Sequence, residues 1–140
     1  MVLLLLGIGG IAIVGWLRPH TAVEPALDAM VSSDVAVVET PTHIVMHPPG
    51  NENGVGVMFQ PGALVDARAY AAHLRPLAEA GYEVYIPKQP LGIAFFSLGA
   101  FDAAQERIPT VQQWVIGGHS LGGTVASLQA DQGEDEYATD

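Results

Sequence analysis

The chain has 140 residues, 49% of them hydrophobic, a net charge of −10 and no cysteine. Its length points to one domain, and its apolar content suffices for a packed core. Its five basic residues (Arg18, Arg68, Arg75, Lys88 and Arg107) are too few and too scattered for a nucleic-acid surface, and the missing cysteines exclude disulfides and disfavour a structural zinc site.

Residues 1–17 carry no charged side chain. That length is the low end of a membrane-spanning helix, with Trp16 and Arg18 where interfacial anchors belong and Pro19 to stop the helix. The expectation is a membrane anchor that holds the protein on the extracytoplasmic side. A cleaved signal peptide is the rival reading, weakened by the lack of a basic n-region, and a buried first strand or core helix is the third. Arg18 is the only nearby charge, so orientation stays open.

Residues 19–34 read as a polar, proline-containing linker. Asp34–Glu39 and His43–Met46, separated by Thr40-Pro41-Thr42, suggest an antiparallel hairpin. Residues 48–54 are dense in turn formers, and Val55–Phe59 is an apolar run suited to a strand buried on both faces. A helix follows from Asp66, which can cap it, with Tyr70, Leu74, Leu77 and Ala78 on one stripe and Gly81 as the C′ residue. Pro76 is expected to kink or split that helix. Tyr82–Ile86 is the next strand. Ile93–Arg107 is compatible with a helix but contains Gly99, Val111–Ile116 is a strand, and Leu121–Gln129 is a helix. Asp131, Glu134, Asp135, Glu136 and Asp140 place half of the net charge in the last ten residues, which read as a solvated, frayed acidic tail. The alternation from residue 55 predicts an α/β fold, a doubly wound and mostly parallel sheet entered through an antiparallel hairpin.

Gly118-His119-Ser120-Leu121-Gly122 fits the G-x-S-x-G nucleophile elbow, with a strand before it and a helix after it. Ser120 is the candidate catalytic nucleophile. Gly118, His119 and Gly122 complete the turn, where small residues permit a close strand–helix approach. The Leu121 N–H at the helix N-terminus is one expected oxyanion donor. The loop Gln60-Pro61-Gly62-Ala63 supplies the other, with Ala63 preferred and Gly62 the alternative. Activating the serine needs a base, yet all five histidines (His20, His43, His47, His73 and His119) precede it. His119 is expected to point away from the hydroxyl, His73 to lie on a helix surface, Asp66 to be a cap and Asp102 a surface residue. No H-E-x-x-H pattern occurs, and neither a metal nor a cofactor is expected.

The ordered segments 59–70, 77–84, 87–91 and 114–123 resemble the alpha/beta-hydrolase fold superfamily, closest to a dienelactone-hydrolase-related group of small, often membrane-anchored bacterial hydrolases. The resemblance covers roughly residues 35–128. It implies Ser120 as nucleophile, Ala63 with Leu121 as the oxyanion pair, and carboxyl-ester hydrolysis through an acyl-enzyme. Members of the superfamily carry the acid and the histidine in later strand–helix units, so residues 35–130 are expected to be the N-terminal half of such a domain, truncated after the nucleophile helix. The expected partners are a small acyl substrate and, through residues 1–17, the membrane. A competing expectation is a non-catalytic, tethered docking module that self-associates through an unpaired sheet edge.

Overall fold

The computed structural model describes residues 13, 15, 19–31, 33–50 and 52–137, with side chains through residue 131. The anchor expected in residues 1–17 lies almost wholly outside the described residues. Among the described residues, no helix is long and apolar enough to cross a membrane.

Five strands form one sheet: β1 (Ala36–Glu39), β2 (His43–His47), β3 (Val55–Gln60), β4 (Glu83–Pro87) and β5 (Gln113–Gly118), in the spatial order β1-β2-β4-β3-β5. The hairpin β1/β2 is antiparallel and joins the sheet by antiparallel pairing of β2 with β4, while β3 runs parallel to both β4 and β5. This is the expected arrangement of an antiparallel entry followed by parallel strands. The four described α-helices are α1 (Glu24–Asp28), α2 (Ala71–Glu79), α3 (Ala100–Arg107) and α4 (Leu121–Tyr137).

Side chains alternate across the strands, and each face finds its own cover. On one face Ile44, Met46, Val84 and Ile86 pack with Ala71, Leu74 and Ala78 of α2. On the other, Val45, Met58 and Tyr85 pack with Ala104 and Ile108 around α3, and Phe101 meets Trp114 edge-on with ring centroids 6.1 Å apart. β5 is an end strand of the described sheet. Its Val115, opposite in facing to Trp114 and Ile116, is 55% exposed.

Several boundaries differ from the expectation. The segment expected as a linker holds α1, which packs on α2 and buries Ala26. The helix expected from Asp66 opens with a 3-10 turn, Ala67–Tyr70, and its α-helical part runs unbroken through Pro76. Pro76 is the sixth of nine residues, so the break in the ladder falls where few helical bonds remain to lose. Gly81 takes the expected C′ position with φ 101°. The helix expected over 93–107 splits into a 3-10 turn, Ala94–Ser97, and α3, with Gly99 as the N-cap. The acidic segment continues α4 to Tyr137 instead of fraying from Asp131. It contains no proline, and each residue added to an existing helix gains a backbone hydrogen bond.

Candidate active site

Because β3, β4 and β5 run parallel, their C-terminal ends share one edge of the sheet. Three connections leave that edge: residues 61–66 after β3, 88–99 after β4, and the turn at 119–120 after β5. Among the described residues, the non-glycine positions with a left-handed backbone are Leu64 (φ 56°), Leu91 (φ 53°) and Ser120 (φ 53°), one in each connection. Such conformations cost roughly 1–3 kcal/mol each and persist only where the surroundings impose them.

Backbone contacts impose the one at Ser120. The His119 N–H donates to Gln60 O at 3.0 Å, carrying the β3/β5 pairing one residue beyond Gly118. The chain then reverses and α4 begins at Leu121. Gly122 sits so close to β3 that a Cβ there would overlap the carbonyl oxygens of Gln60 and Pro61. A Cβ on Gly118 would lie 2.5 Å from the Gly122 carbonyl carbon. Only glycine permits both approaches.

The Ser120 residue is exposed, and its Oγ has no hydrogen-bond partner among the described residues. The amide of Leu121, at the start of α4, has no acceptor, and neither does the amide of Ala63. Gly62, the alternative donor, is already engaged: its N–H donates to Tyr70 Oη at 2.9 Å.

Tyr70 Oη also lies 3.0 Å from His119 Nδ1. Its oxygen accepts the Gly62 N–H, so its single proton is free to go to the imidazole. With the Tyr70 proton given to the imidazole, the chain runs Gly62 N–H to Tyr70 Oη–H to His119 Nδ1 and requires the His119 tautomer protonated at Nε2. His119 thus turns toward the 61–66 loop and Tyr70, and no hydrogen bond joins it to the Ser120 side chain among the described residues. The other histidines are dispersed. His43 stacks on Tyr85 with centroids 5.1 Å apart, His47 Nδ1 lies 2.9 Å from Glu83, and His73 is exposed on α2. The backbone of His20 pairs with the segment after Ala63, its N–H donating to Leu64 O at 2.7 Å and its O accepting from Asp66 N–H at 3.1 Å. No group of three or more metal-ligating side chains occurs among the described residues.

Asp66 is the expected cap, accepting from Arg68 N–H at 2.9 Å, and thereby starts the turn that carries Tyr70. Burial pushes its carboxyl upward, but hydrogen bonds from the Arg68 side chain and backbone outweigh this and hold it below the usual carboxylate value. Asp102 is exposed in the first turn of α3, as expected.

One feature of this edge escapes sequence reading altogether. Gln60 and Gln129 are 0% and 2% exposed, and with the half-buried Gln89 their side chains form a hydrogen-bonded chain. Gln89 Nε2 donates to Gln60 Oε1 (3.0 Å) and to Pro61 O (2.8 Å), and Gln60 Nε2 donates to Gln129 Oε1 (3.1 Å). Gln129 Nε2 donates in turn to Leu98 O at 2.8 Å. The chain ties the loop carrying Ala63 to the helix that starts at Leu121. The only sequence trace of it is a glutamine ending the otherwise apolar run Val55–Phe59.

A sequence profile described as the Alpha/beta hydrolase family matches residues 56–138, more than half of the chain. No curated protein matches. Among solved structures, a probable hydrolytic enzyme from Pseudomonas aeruginosa PAO1 aligns with 20% identity and a TM-score of 0.50, over 81% of this chain and 42% of its own. An esterase/lipase from an uncultured bacterium aligns with 15% identity and a TM-score of 0.55, over 88% of this chain and 53% of its own. At these identities the likeness is one of fold, and the chain spans about half the length of the solved hydrolases it matches.

The Tyr70 relay has a direct spectroscopic consequence. ¹⁵N NMR of the folded protein at alkaline pH should show His119 Nδ1 unprotonated and Nε2 protonated. Tyr70→Phe should shift His119 toward a mixture of tautomers. A protonated Nδ1 in the unsubstituted protein would contradict the relay.

Proposed function

The chain belongs to the alpha/beta hydrolase family, and from that premise we propose that Ser120 is the nucleophile of a carboxyl-ester hydrolase. The observation that carries this reading is the left-handed Ser120 at a strand-to-helix turn, its hydroxyl unpartnered and the acceptor-free amides of Leu121 and Ala63 on the two connections beside it. In the proposed reaction Ser120 Oγ adds to the ester carbonyl carbon while a base takes its proton. The carbonyl oxygen becomes an oxyanion held by the Leu121 and Ala63 N–H groups, donors aimed where the charge develops. Collapse expels the alcohol, which regains the proton, and leaves an acyl-enzyme that water hydrolyses. The base is proposed to come from outside the described residues, because His119 is held on Tyr70 and no other histidine described has a hydrogen bond to Ser120. The finer assignment, to the dienelactone-hydrolase-related group with residues 1–17 as a membrane tether, rests on the sequence resemblance.

A second reading, self-association, is favoured by the edge of β5, which pairs with no further strand among the described residues. Edge strands are normally blunted by charge, proline or a bulge, and Gln113-Trp114-Val115-Ile116-Gly117-Gly118 has no charged residue and no proline.

Two measurements test these readings. The 140-residue chain is expected to hydrolyse p-nitrophenyl acetate slowly at most, with Ser120→Ala abolishing what acyl transfer there is. Hydrolysis that survives Ser120→Ala contradicts the nucleophile, and rapid Ser120-dependent turnover contradicts the need for an added base. Light scattering after size exclusion is expected to show association that the substitution Val115→Lys reduces, and a monomer at all concentrations removes the second reading.

A further inference from the structure

The exit of the apolar N-terminal segment, the loop with Ala63, and a cluster of exposed apolar side chains all lie at the sheet edge that carries Ser120. His20 is bonded on both sides to the strand-like stretch after Ala63. Leu64 is joined in turn to the connection after β4, its N–H donating to Gly92 O at 2.8 Å. Pro19, Thr21, Val65 and Gly92 line one cleft of about 520 Å³ together with the charged Glu39, Asp66, Arg68 and Lys88. That connection carries Leu91, Phe95, Phe96 and Leu98, large apolar residues that are 45–59% exposed within eight positions. They follow the C-terminal end of β4, just as Ser120 follows that of β5.

The tether leaves little freedom. Three residue-to-residue steps lead from Leu17 to His20, and a fully extended chain covers at most about 3.6 Å per step, or about 11 Å in all. If residues 1–17 sit in a bilayer, His20 and the Leu64–Asp66 segment bonded to it are held at the interfacial layer, whose two sides together add only about 10–15 Å to the hydrocarbon core. The opposite edge of the sheet, where Thr110 precedes β5, is the full length of the strands away.

We propose that this edge is a lipid-facing surface: Leu91, Phe95, Phe96 and Leu98 enter the interfacial layer and Ser120 opens toward it. The partner is a bilayer engaged by apolar insertion and not by charge, since a protein of net charge −10 gains nothing from anionic lipid. The inference rests on the tether reading of residues 1–17 and leaves the role of Ser120 to its own test.

The absence of cysteine makes single-site labelling clean. The full chain carrying Phe96→Cys or Thr110→Cys is labelled with a nitrobenzoxadiazole fluorophore and mixed with dioleoylphosphatidylcholine vesicles. The expected result is co-flotation of both, with a blue shift and loss of aqueous quenching for the label at position 96 but not at 110. Co-flotation with both labels still water-quenched, or both shielded alike, overturns the oriented docking and leaves the tether standing. Failure of the chain to float with vesicles overturns both. A lipid-dependent shift at position 96 that persists when residues 1–17 are removed supports the surface independently of the tether.

Discussion

The architecture of the site depends on one contact that contains no side chain at all: Gly122 lying against the carbonyl oxygens of Gln60 and Pro61. It allows α4 to begin directly over the end of β3. With β5 already paired to β3 through Gln60 and Gly118, the chain has a single residue in which to reverse, and that residue is Ser120 at φ 53°. Strain of roughly 1–3 kcal/mol is therefore an outcome of packing and not a local preference of serine. The same contact brings the start of α4, with its unpaired Leu121 amide, beside the loop that carries Ala63.

Side-chain hydrogen bonds then hold that loop from two directions. Tyr70, on the turn capped by Asp66, takes the Gly62 amide and leaves that of Ala63 free. Gln89 takes the Pro61 carbonyl from the other side and continues through Gln60 to Gln129 on α4. Burying amides is costly unless each finds a partner; both amide atoms of Gln60 and Gln129 have one, whereas Gln89 Oε1 is buried without one, and the bonds that are made fix the relative position of the elements they join. Here those elements are the β3 loop, the β4 connection and α4. Under the proposed reading, Ala63 and Leu121 are oxyanion donors, which act best when preorganised, and these bonds would hold the Ala63 loop against α4.

Much of this was legible in the sequence because it depends on local signals. The five strands follow from short apolar runs bounded by turn formers, and Val55–Gln60, Glu83–Pro87 and Gln113–Gly118 fall within two residues of their expected spans. The turn at Ser120 and the cap at Asp66 follow from residue types that only such positions require. Length-dependent features were less legible: Gly99 acts as a cap, α1 forms because Ala26 has a buried place on α2, and α4 outruns its apolar stripe. The Tyr70–His119 pair and the glutamine chain were not legible, since their partners are 49 and up to 69 residues apart and a tyrosine on a helical stripe looks like core.

The most direct test of the account is the stability of Gly122→Ala beside Gly117→Ala in urea. At Gly117 an added Cβ meets only Phe59, at 4.0 Å, whereas at Gly122 it meets backbone that cannot turn aside. The account predicts a loss of more than about 3 kcal/mol for Gly122→Ala and a change within about 1 kcal/mol for Gly117→Ala. Equal, small effects at both positions would contradict the claim that the Gly122 contact shapes the turn at Ser120.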